Sequence, residues 1–481
     1  MTESLDRLRA LPAVHRLLVH PALRNARAVQ GDERVVDAIR ATLANWRARL
    51  LLGESTPIEL SLDRFARDTL EWLKQEGSPH LRPVINATGI LLHTGLGRAP
   101  LAPTAIEMIS ATARGYCNLE LDLASGERGN RTAAISRQLA KLTGAEACTI
   151  VNNNAAATVL VLRALAAGRE VIVARGELIE IGGSFRLPEI FEVSGTLLKE
   201  VGTTNKVRIA DYQRAITGTT AALLKVHPSN YRVVGFTESV SIAELAELAH
   251  HRNLLAIDDI GSGALGPDRP PVVQDEPTIT GSLEGGADLV LCSGDKLLGG
   301  PQSGLILGRE PLIRRIESDP LMRAVRVDKL TLAALEATLH AAMLPREIPP
   351  TIPLWRFLAT PVEELRDRAE QLARDLRQLG FRAEAMASEA FLGGGSWPSQ
   401  TIPSWALVIS PAREGRSGRW LADLATALRL GEPSVVATIR RDAAWFDLRA
   451  IEPESDAALL SAIRRTLEER SACEDAFESV S

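Results

Sequence analysis

The sequence predicts an α/β fold: a mostly parallel sheet, preceded by a helical module and followed by a small α+β unit. Three observations carry this expectation. Between about residues 140 and 310, short apolar runs alternate with helical patterns, the mark of βαβ units. Residues 1–80 hold apolar positions at helical spacing. From about residue 350, a long helix precedes short strand-like runs and a last helix.

In the first 80 residues, Leu5, Leu8, Leu11, Val14, Leu17 and Leu18 recur at helical spacing, with Pro12 as a start or break. Further helical runs cover Val35 to Leu52 and Leu60 to Leu73. Gly31-Asp32 and Gly53-Glu54-Ser55-Thr56-Pro57 punctuate them. Residues 1–50 carry nine arginines and five acids, a balance of +4, and residues 51–80 give back −3. Such a basic face serves nucleic acid or is simply solvated.

The α/β stretch begins with a strand at Ala147 to Val151 and a helix at Ala155 to Ala167. Strands are expected near Glu170–Ala174, Thr196–Val201, Ala221–Val226, Leu254–Asp258 and Asp288–Cys292, with helices such as Ile242 to Arg252 between them. Their continuous apolar character fits a sheet covered on both faces. Beyond it, a helix spans Pro361 to Leu379. Strands follow near Trp405–Ile409, Val435–Ile439 and Trp445–Leu448, then a helix at Ala457 to Glu469. Gly393-Gly394-Gly395-Ser396 reads as a loop and Ser471–Ser481 as a disordered tail. The expected division is 1–80, 81–345, 346–470 and the tail 471–481.

Composition narrows the class. Of 481 residues, 45% are hydrophobic and 24% charged, with net charge −5, as in soluble globular proteins. The chain as a whole is therefore no general polyanion binder. Cys117, Cys148, Cys292 and Cys473 form no CxxC pair, so reduced cytoplasmic thiols are expected, with no disulfide framework and no metal site. The amino terminus lacks a signal pattern, and no apolar run reaches membrane-spanning length.

The chemistry gathers where strands end. Lys296 follows the apolar run Ala287 to Cys292, within Ser293-Gly294-Asp295-Lys296-Leu297-Leu298-Gly299-Gly300. A partly desolvated lysine there has a lowered pKa and becomes the nucleophile that condenses with an aldehyde cofactor. The alternative is a surface lysine in a glycine-rich turn. Val151-Asn152-Asn153-Asn154-Ala155 joins a strand to a helix, and free N–H groups at a helix start bind anions. It lacks the GxxxxGK[ST] pattern, and Asn is also an ordinary N-cap. In Ile257-Asp258-Asp259-Ile260-Gly261, an aspartate leaving a parallel strand points into the usual ligand crevice. In pyridoxal phosphate enzymes a carboxylate keeps the ring nitrogen protonated; a metal ligand or turn aspartate is the alternative. Ser293 is a hydroxyl donor candidate for the cofactor phosphate. The order of anion loop, aspartate and lysine is shared by aminotransferase-like pyridoxal phosphate folds. Arg98, in a glycine-rich turn, and Arg323 with Arg326, spaced to share one side of a helix, offer guanidinium forks for a phosphate-like anion or make surface salt bridges.

These segments together resemble the bacterial selenocysteine synthase family, the L-seryl-tRNA(Sec) selenium transferases. The resemblance rests on Leu11 to Leu18, Arg82 to Gly89, His93 to Arg98, Val151 to Ala156, Arg175 to Arg186, Val201 to Asn205, His227 to Tyr231, Ser293 to Gln302 and Met322 to Ala334. It runs from near residue 8 to about 450. It implies a fold type I pyridoxal phosphate-dependent transferase assembled as a homodecamer of dimers. It further implies that Lys296 carries pyridoxal 5'-phosphate as a Schiff base and that Asp259, or its neighbour Asp258, meets the pyridine nitrogen. Asn153, Asn154, Ala155 and Ser293 would surround the phosphate. Arg98, Arg323 and Arg326 would hold selenophosphate, and the N-terminal helices would bind seryl-tRNA(Sec). Pro228 departs from the family, where Thr is more usual, and removes an N–H near Asn230 and Tyr231.

The implied reaction removes the β-hydroxyl of serine esterified to tRNA and adds selenium at Cβ. Lys296 is the natural base for the Cα proton, and Asp295 or Lys296 protonates the leaving hydroxyl. One rival is a pyridoxal phosphate-dependent lyase acting on a small free amino acid or amino sugar acid, which needs no residues 1–80. The other is an RNA-binding protein on a decayed enzyme scaffold, which needs no Lys296 or Asp259.

Overall fold

Residues 1–83 form a helical unit of their own, and residues 84–481 form the second unit. The protein is seen in a computed structural model that describes residues 8–51, 60–77, 81–181, 185–266, 273–344, 351–393, 396–411 and 417–478. Leu5, Leu52 and the punctuation at residues 53–57 lie outside them, as do residues 182–184, 394–395 and 479–481.

In the first unit, Pro12 acts as a break, and α1 (Val14–Leu18) starts just beyond it. Helix α2 (Arg24–Gln30) ends at Gly31, whose φ of 86° is open to glycine at little cost. Next come α3 (Asp32–Leu51) and α4 (Leu62–Gly77). The apolar stripes meet in a core of Leu17, Leu23, Val35, Ile39, Leu43, Trp46, Phe65 and Leu73. Trp46 stacks edge-on against Phe65 at 5.5 Å, and its ring N–H donates to Asp68 at 2.9 Å. With the core so filled, Arg16, Arg24, Arg34, Arg40 and Arg47 are left on the surface.

The second unit opens with β1 (Val84–Ala87), α5 (Pro103–Ala113) and α6 (Ala133–Thr143). The α/β stretch then runs β2 (Ala147–Val151), α7 (Asn154–Ala166), β3 (Glu170–Ala174), a two-residue pair β4 (Glu180–Ile181) and β5 (Phe185–Arg186), α8 (Leu187–Ser194) and β6 (Leu197–Val201). It continues with α9 (Ile209–Ala215), β7 (Thr220–Val226), α10 (Ile242–His251), β8 (Leu255–Gly261), α11 (Ile279–Glu284), β9 (Leu289–Ser293) and β10 (Gly304–Gly308). The seven-stranded sheet has the order β2-β10-β9-β8-β7-β3-β6. Strand β10 is antiparallel to both neighbours, and the remaining pairs are parallel. Strands β2, β3, β6, β7, β8 and β9 therefore end on one edge, where β10 begins. Alternate residues serve opposite faces: Leu289 and Leu291 join one apolar cluster with α7 and α8, while Val290 and Cys292 join another with α6.

After α12 (Glu310–Glu317), α13 (Leu321–Val325), α14 (Lys329–Ala342), α15 (Pro353–Ala359) and α16 (Val362–Gln378) comes β11 (Ala383–Gly393). The last elements are β12 (Ser396–Ile409), α17 (Ser417–Leu430), β13 (Ser434–Arg440), β14 (Ala443–Asp447) and α18 (Asp456–Glu478). These strands form a second sheet, β1-β13-β14-β12-β11, which takes β1 from far upstream. The expected loop at Gly393 to Ser396 is the tip of the β11–β12 hairpin, with Gly393 and Ser396 inside the strands. The last helix continues to Glu478, past the end its spacing predicts at Glu469 and into the stretch read as a disordered tail. No helix among the described residues is long and apolar enough to cross a membrane. Among them Cys148 and Cys292 are buried and Cys117 is exposed, each unpaired.

Candidate active site

The strand ends of the large sheet bring the predicted residues together. Lys296 lies three residues beyond β9 and is only 4% exposed. Burial lowers its amine pKa, and the positive charge of Arg98 lowers it further, against the pull of Asp259, Asp295 and Glu276. It is no surface lysine. Gly261 lies beside it: a methyl group built there would stand 3.7 Å from Lys296 Nζ and 3.8 Å from Ser229 Oγ.

The pleat separates the two aspartates of β8. Asp258 points toward α11, where Ser282 Oγ donates to it at 2.7 Å, and burial lifts its carboxyl to about 6. Asp259 points to the face of Lys296 and α7. Asn154 Nδ2 donates to Asp259 Oδ1 at 2.8 Å, and Thr158 Oγ1 donates to Oδ2 at 3.2 Å. Burial raises its pKa, while Asn154 and Lys296 oppose the rise. Asn154 and Thr158 are one helical turn apart on α7, so both reach the same carboxylate.

Asn153 caps α7: its side chain accepts from Ala156 N at 2.8 Å, and its carbonyl accepts from Ala157 N at 3.1 Å. The N–H groups of Asn154 and Ala155 lead this helix and point at the strand-end edge, where an anion is favoured. Ser293, the buried last residue of β9, sits opposite Gly304, which also pairs with Val151. Gly304 thus ties the Ser293 strand to the Asn153–Ala155 turn.

The arginines fall into two groups of contacts. Arg98 occupies a left-handed backbone position at φ 62°, strained for a side-chain-bearing residue, and its guanidinium donates to Asp295 at 2.8 Å. Arg326 lies just past α13 in extended backbone and bridges to Val151, next to the Asn turn. The expected shared helix side of Arg323 and Arg326 does not hold, because α13 ends at Val325. The two still press on each other, since Arg323 and Arg131 both help to lower the Arg326 pKa after desolvation. Glu120 sits among these cations: Arg128 donates to it at 2.8 Å, Arg131 is bonded closely to it, and Arg326 lies 3.7 Å away. Arg131, the largest cause, and Arg128 hold its carboxyl down to about 2. No role was assigned to Glu120 or Arg131 from sequence, although Glu120-to-Arg131 is itself an arginine-rich loop. Beyond Pro228 both neighbours in question find backbone partners. Asn230 Nδ2 donates to Glu180 O at 2.5 Å, and the Tyr231 hydroxyl donates to Gly176 O.

The donor set fits pyridoxal phosphate. A buried neutral-prone amine, a buried carboxylate and a helix start converge on one edge. Several buried polar atoms there lack partners: Ser262 Oγ, Asp295 Oδ1, Asn154 Oδ1 and His227 Nε2. Each such atom costs about 1–3 kcal/mol, so their concentration marks a place where a polar ligand belongs. His227 follows β7, with its N–H bonded to Asp259 O at 2.9 Å and its ring 3.6 Å from Glu276.

Comparison with known proteins agrees. The family described as L-seryl-tRNA selenium transferase matches residues 84–452, and that described as selenocysteine synthase N terminal matches residues 8–47. A protein named L-seryl-tRNA(Sec) selenium transferase from Moorella thermoacetica is 45% identical, over 97% of this chain and 98% of its own. One of the same name from Hyphomonas neptunium is 44% identical, over 92% and 95%. The solved structure of a D-glucosaminate-6-phosphate ammonia-lyase aligns with a TM-score of 0.57 at 20% identity, covering 82% of this chain and 98% of that one. It shows a shared fold. The architecture is that of the fold type I, aminotransferase-like pyridoxal phosphate enzymes, as the sequence predicts.

Proposed function

Because the chain belongs to the L-seryl-tRNA selenium transferase family, we propose that it converts L-seryl-tRNA(Sec) to L-selenocysteinyl-tRNA(Sec), taking selenium from selenophosphate. The observation that carries this reading is the buried, pKa-depressed Lys296 amine on the same face as Asp259. Pyridoxal 5'-phosphate, when bound, supplies an aldehyde that takes up amines and a ring that stores negative charge. Lys296 would hold it. Asn153, Asn154, Ala155 and Ser293 would face its phosphate, and Asp259 would keep a proton on its ring nitrogen.

Lys296 then serves as base for the Cα proton of the seryl group. Asp295 Oδ2 accepts from the Arg98 guanidinium at 2.8 Å, which assigns that carboxylate to positioning Arg98. The proton that Lys296 accepts is therefore the one returned to the leaving β-hydroxyl. Arg98, Arg323 and Arg326 hold the anionic selenium donor for addition at Cβ, and burial keeps water from the reactive carbon. The basic helical unit binds the body of the tRNA, and the working assembly is a cytoplasmic homodecamer of dimers. A lyase for a small free amino acid or amino sugar acid would leave the match at residues 8–47 without a use.

A gel-shift comparison tests the RNA half of this reading. The full chain is expected to retain seryl-tRNA(Sec) in preference to seryl-tRNA(Ser), and a chain lacking residues 1–80 is expected to lose both while still taking up cofactor. Equal retention of the two RNAs, or full binding after the deletion, refutes it.

A further inference from the structure

A cavity of ≈ 490 Å³ opens at the carboxyl ends of β3, β6 and β7. That is within the range of about 300–1,000 Å³ that holds small organic ligands. Its inner wall includes His227 and Glu276, the groups next to Asp259 and Lys296. Its outer wall is formed by Thr203, Thr204, Asn205, Lys206 and Arg232, among others. Asn205 Nδ2 donates to the Phe236 carbonyl at 2.6 Å, and the Phe236 side chain is 88% exposed, so an aromatic ring stands at the rim.

We propose that this cavity binds the 3'-terminal nucleotide of the aminoacylated RNA; this rests on the reading above. An amino acid esterified to the terminal ribose carries that ribose wherever its amine goes. When the amine reaches Lys296, the nucleotide must lie next door, and the cavity begins there. The charges also favour an ester over a free amino acid. A free α-carboxylate needs a cation at the inner wall, yet Glu276 stands there, the nearby Lys225 is engaged by Glu177 at 3.1 Å and by Val240 O at 2.8 Å, and Arg98, on the Lys296 side, is paired with Asp295 at 2.8 Å. An ester carbonyl is neutral and meets no such repulsion. Thr203, Thr204 and Asn205 offer the hydroxyl and amide groups that read ribose hydroxyls and base edges. Lys206 and Arg232 suit a phosphate on a wall that also carries Asp275 and Glu238, the latter paired with Arg208 at 2.9 Å, and the exposed Phe236 ring suits stacking by an unpaired base.

The test uses the full-length holoenzyme and two RNAs, the intact acceptor tRNA and the same tRNA lacking its 3'-terminal nucleotide. The wild type is expected to bind the shortened RNA about tenfold more weakly. Phe236→Ala and Lys206→Ala are each expected to weaken the intact RNA several-fold and the shortened RNA far less. In turnover, both should raise KM for seryl-tRNA much more than they change kcat, with cofactor absorbance retained. Equal binding of the two RNAs by the wild type overturns the proposal, as does an equal loss on both RNAs in the variants. Failure of the parent reading looks different: the wild type itself would not convert seryl-tRNA, and the proposal would fall with it.

Discussion

Gly304→Ala probes the anion turn without touching a charged group. Gly304 lies between Val151 and Ser293 in the sheet. A methyl group there would stand 2.2 Å from the Asn153 carbonyl oxygen and 2.9 Å from Asn154 N, where ordinary contact begins at 3.4 Å. Both obstacles are backbone, so the turn must retreat by about 1 Å, an overpacking cost of about 1–3 kcal/mol. The retreat moves the leading N–H groups of α7 away from the phosphate. Each charge-assisted hydrogen bond lost is worth about 1.5–3 kcal/mol, or roughly 10- to 150-fold in Kd. Titration of apoprotein with pyridoxal phosphate, followed by the absorbance of the lysine-bound cofactor, measures this. Leu407→Ala serves as control. Leu407 is buried in the core of the second sheet, and the change costs about 2–5 kcal/mol of stability there. It should lower Tm and leave cofactor Kd unchanged. A wild-type Kd in Gly304→Ala, or an equal loss in Leu407→Ala, refutes the assignment of the turn to the phosphate.

Three further outcomes are expected. Arg98→Ala removes a charge that lowers the Lys296 amine pKa and leaves Asp295, which raises it, without its ion pair. Both effects push the amine upward, so the pH profile of cofactor uptake should move to higher pH; a profile that stays or moves down contradicts this. The two aspartates should part cleanly. Asp259→Asn should alter the cofactor spectrum and greatly slow turnover, whereas Asp258→Asn should leave the spectrum alone. The Asp258 carboxyl is raised from 3.8 to about 6. The unfolded chain therefore releases that proton first, and wild-type stability declines as pH climbs through this window. Thermal melts should accordingly favour Asp258→Asn over the wild type more at pH above 6 than below 3.8.

Much of this molecule was legible in its sequence because burial on both faces writes strands as unbroken apolar runs. Ala147–Val151, Glu170–Ala174 and Leu289–Ser293 are all of this kind. Strand β11, Ala383–Gly393, was not legible. Its alanine and glutamate content favours a helix, and its long pairing with β12 overrides that preference. Lys296, Asp259 and the Asn turn stood out because strand ends aim side chains into one crevice. Which aspartate faced Lys296 depended on the pleat, and was settled by the contacts of Asn154, Thr158 and Ser282. The Glu120 cluster was hidden because Arg326, which completes it at 3.7 Å from Glu120, is far from the Glu120–Arg131 loop in sequence. Arg131 reaches the Arg326 segment as well, donating to Val327 O at 2.9 Å.

The proposed reaction exchanges oxygen for selenium on an amino acid still joined to tRNA. Holoprotein mixed with seryl-tRNA(Sec) and selenophosphate, followed by mass analysis of the amino acid released from the RNA, reads it directly. Selenocysteine from the wild type and unchanged serine from Lys296→Ala are expected. Serine from both, or selenocysteine made as readily by Lys296→Ala, contradicts this reaction.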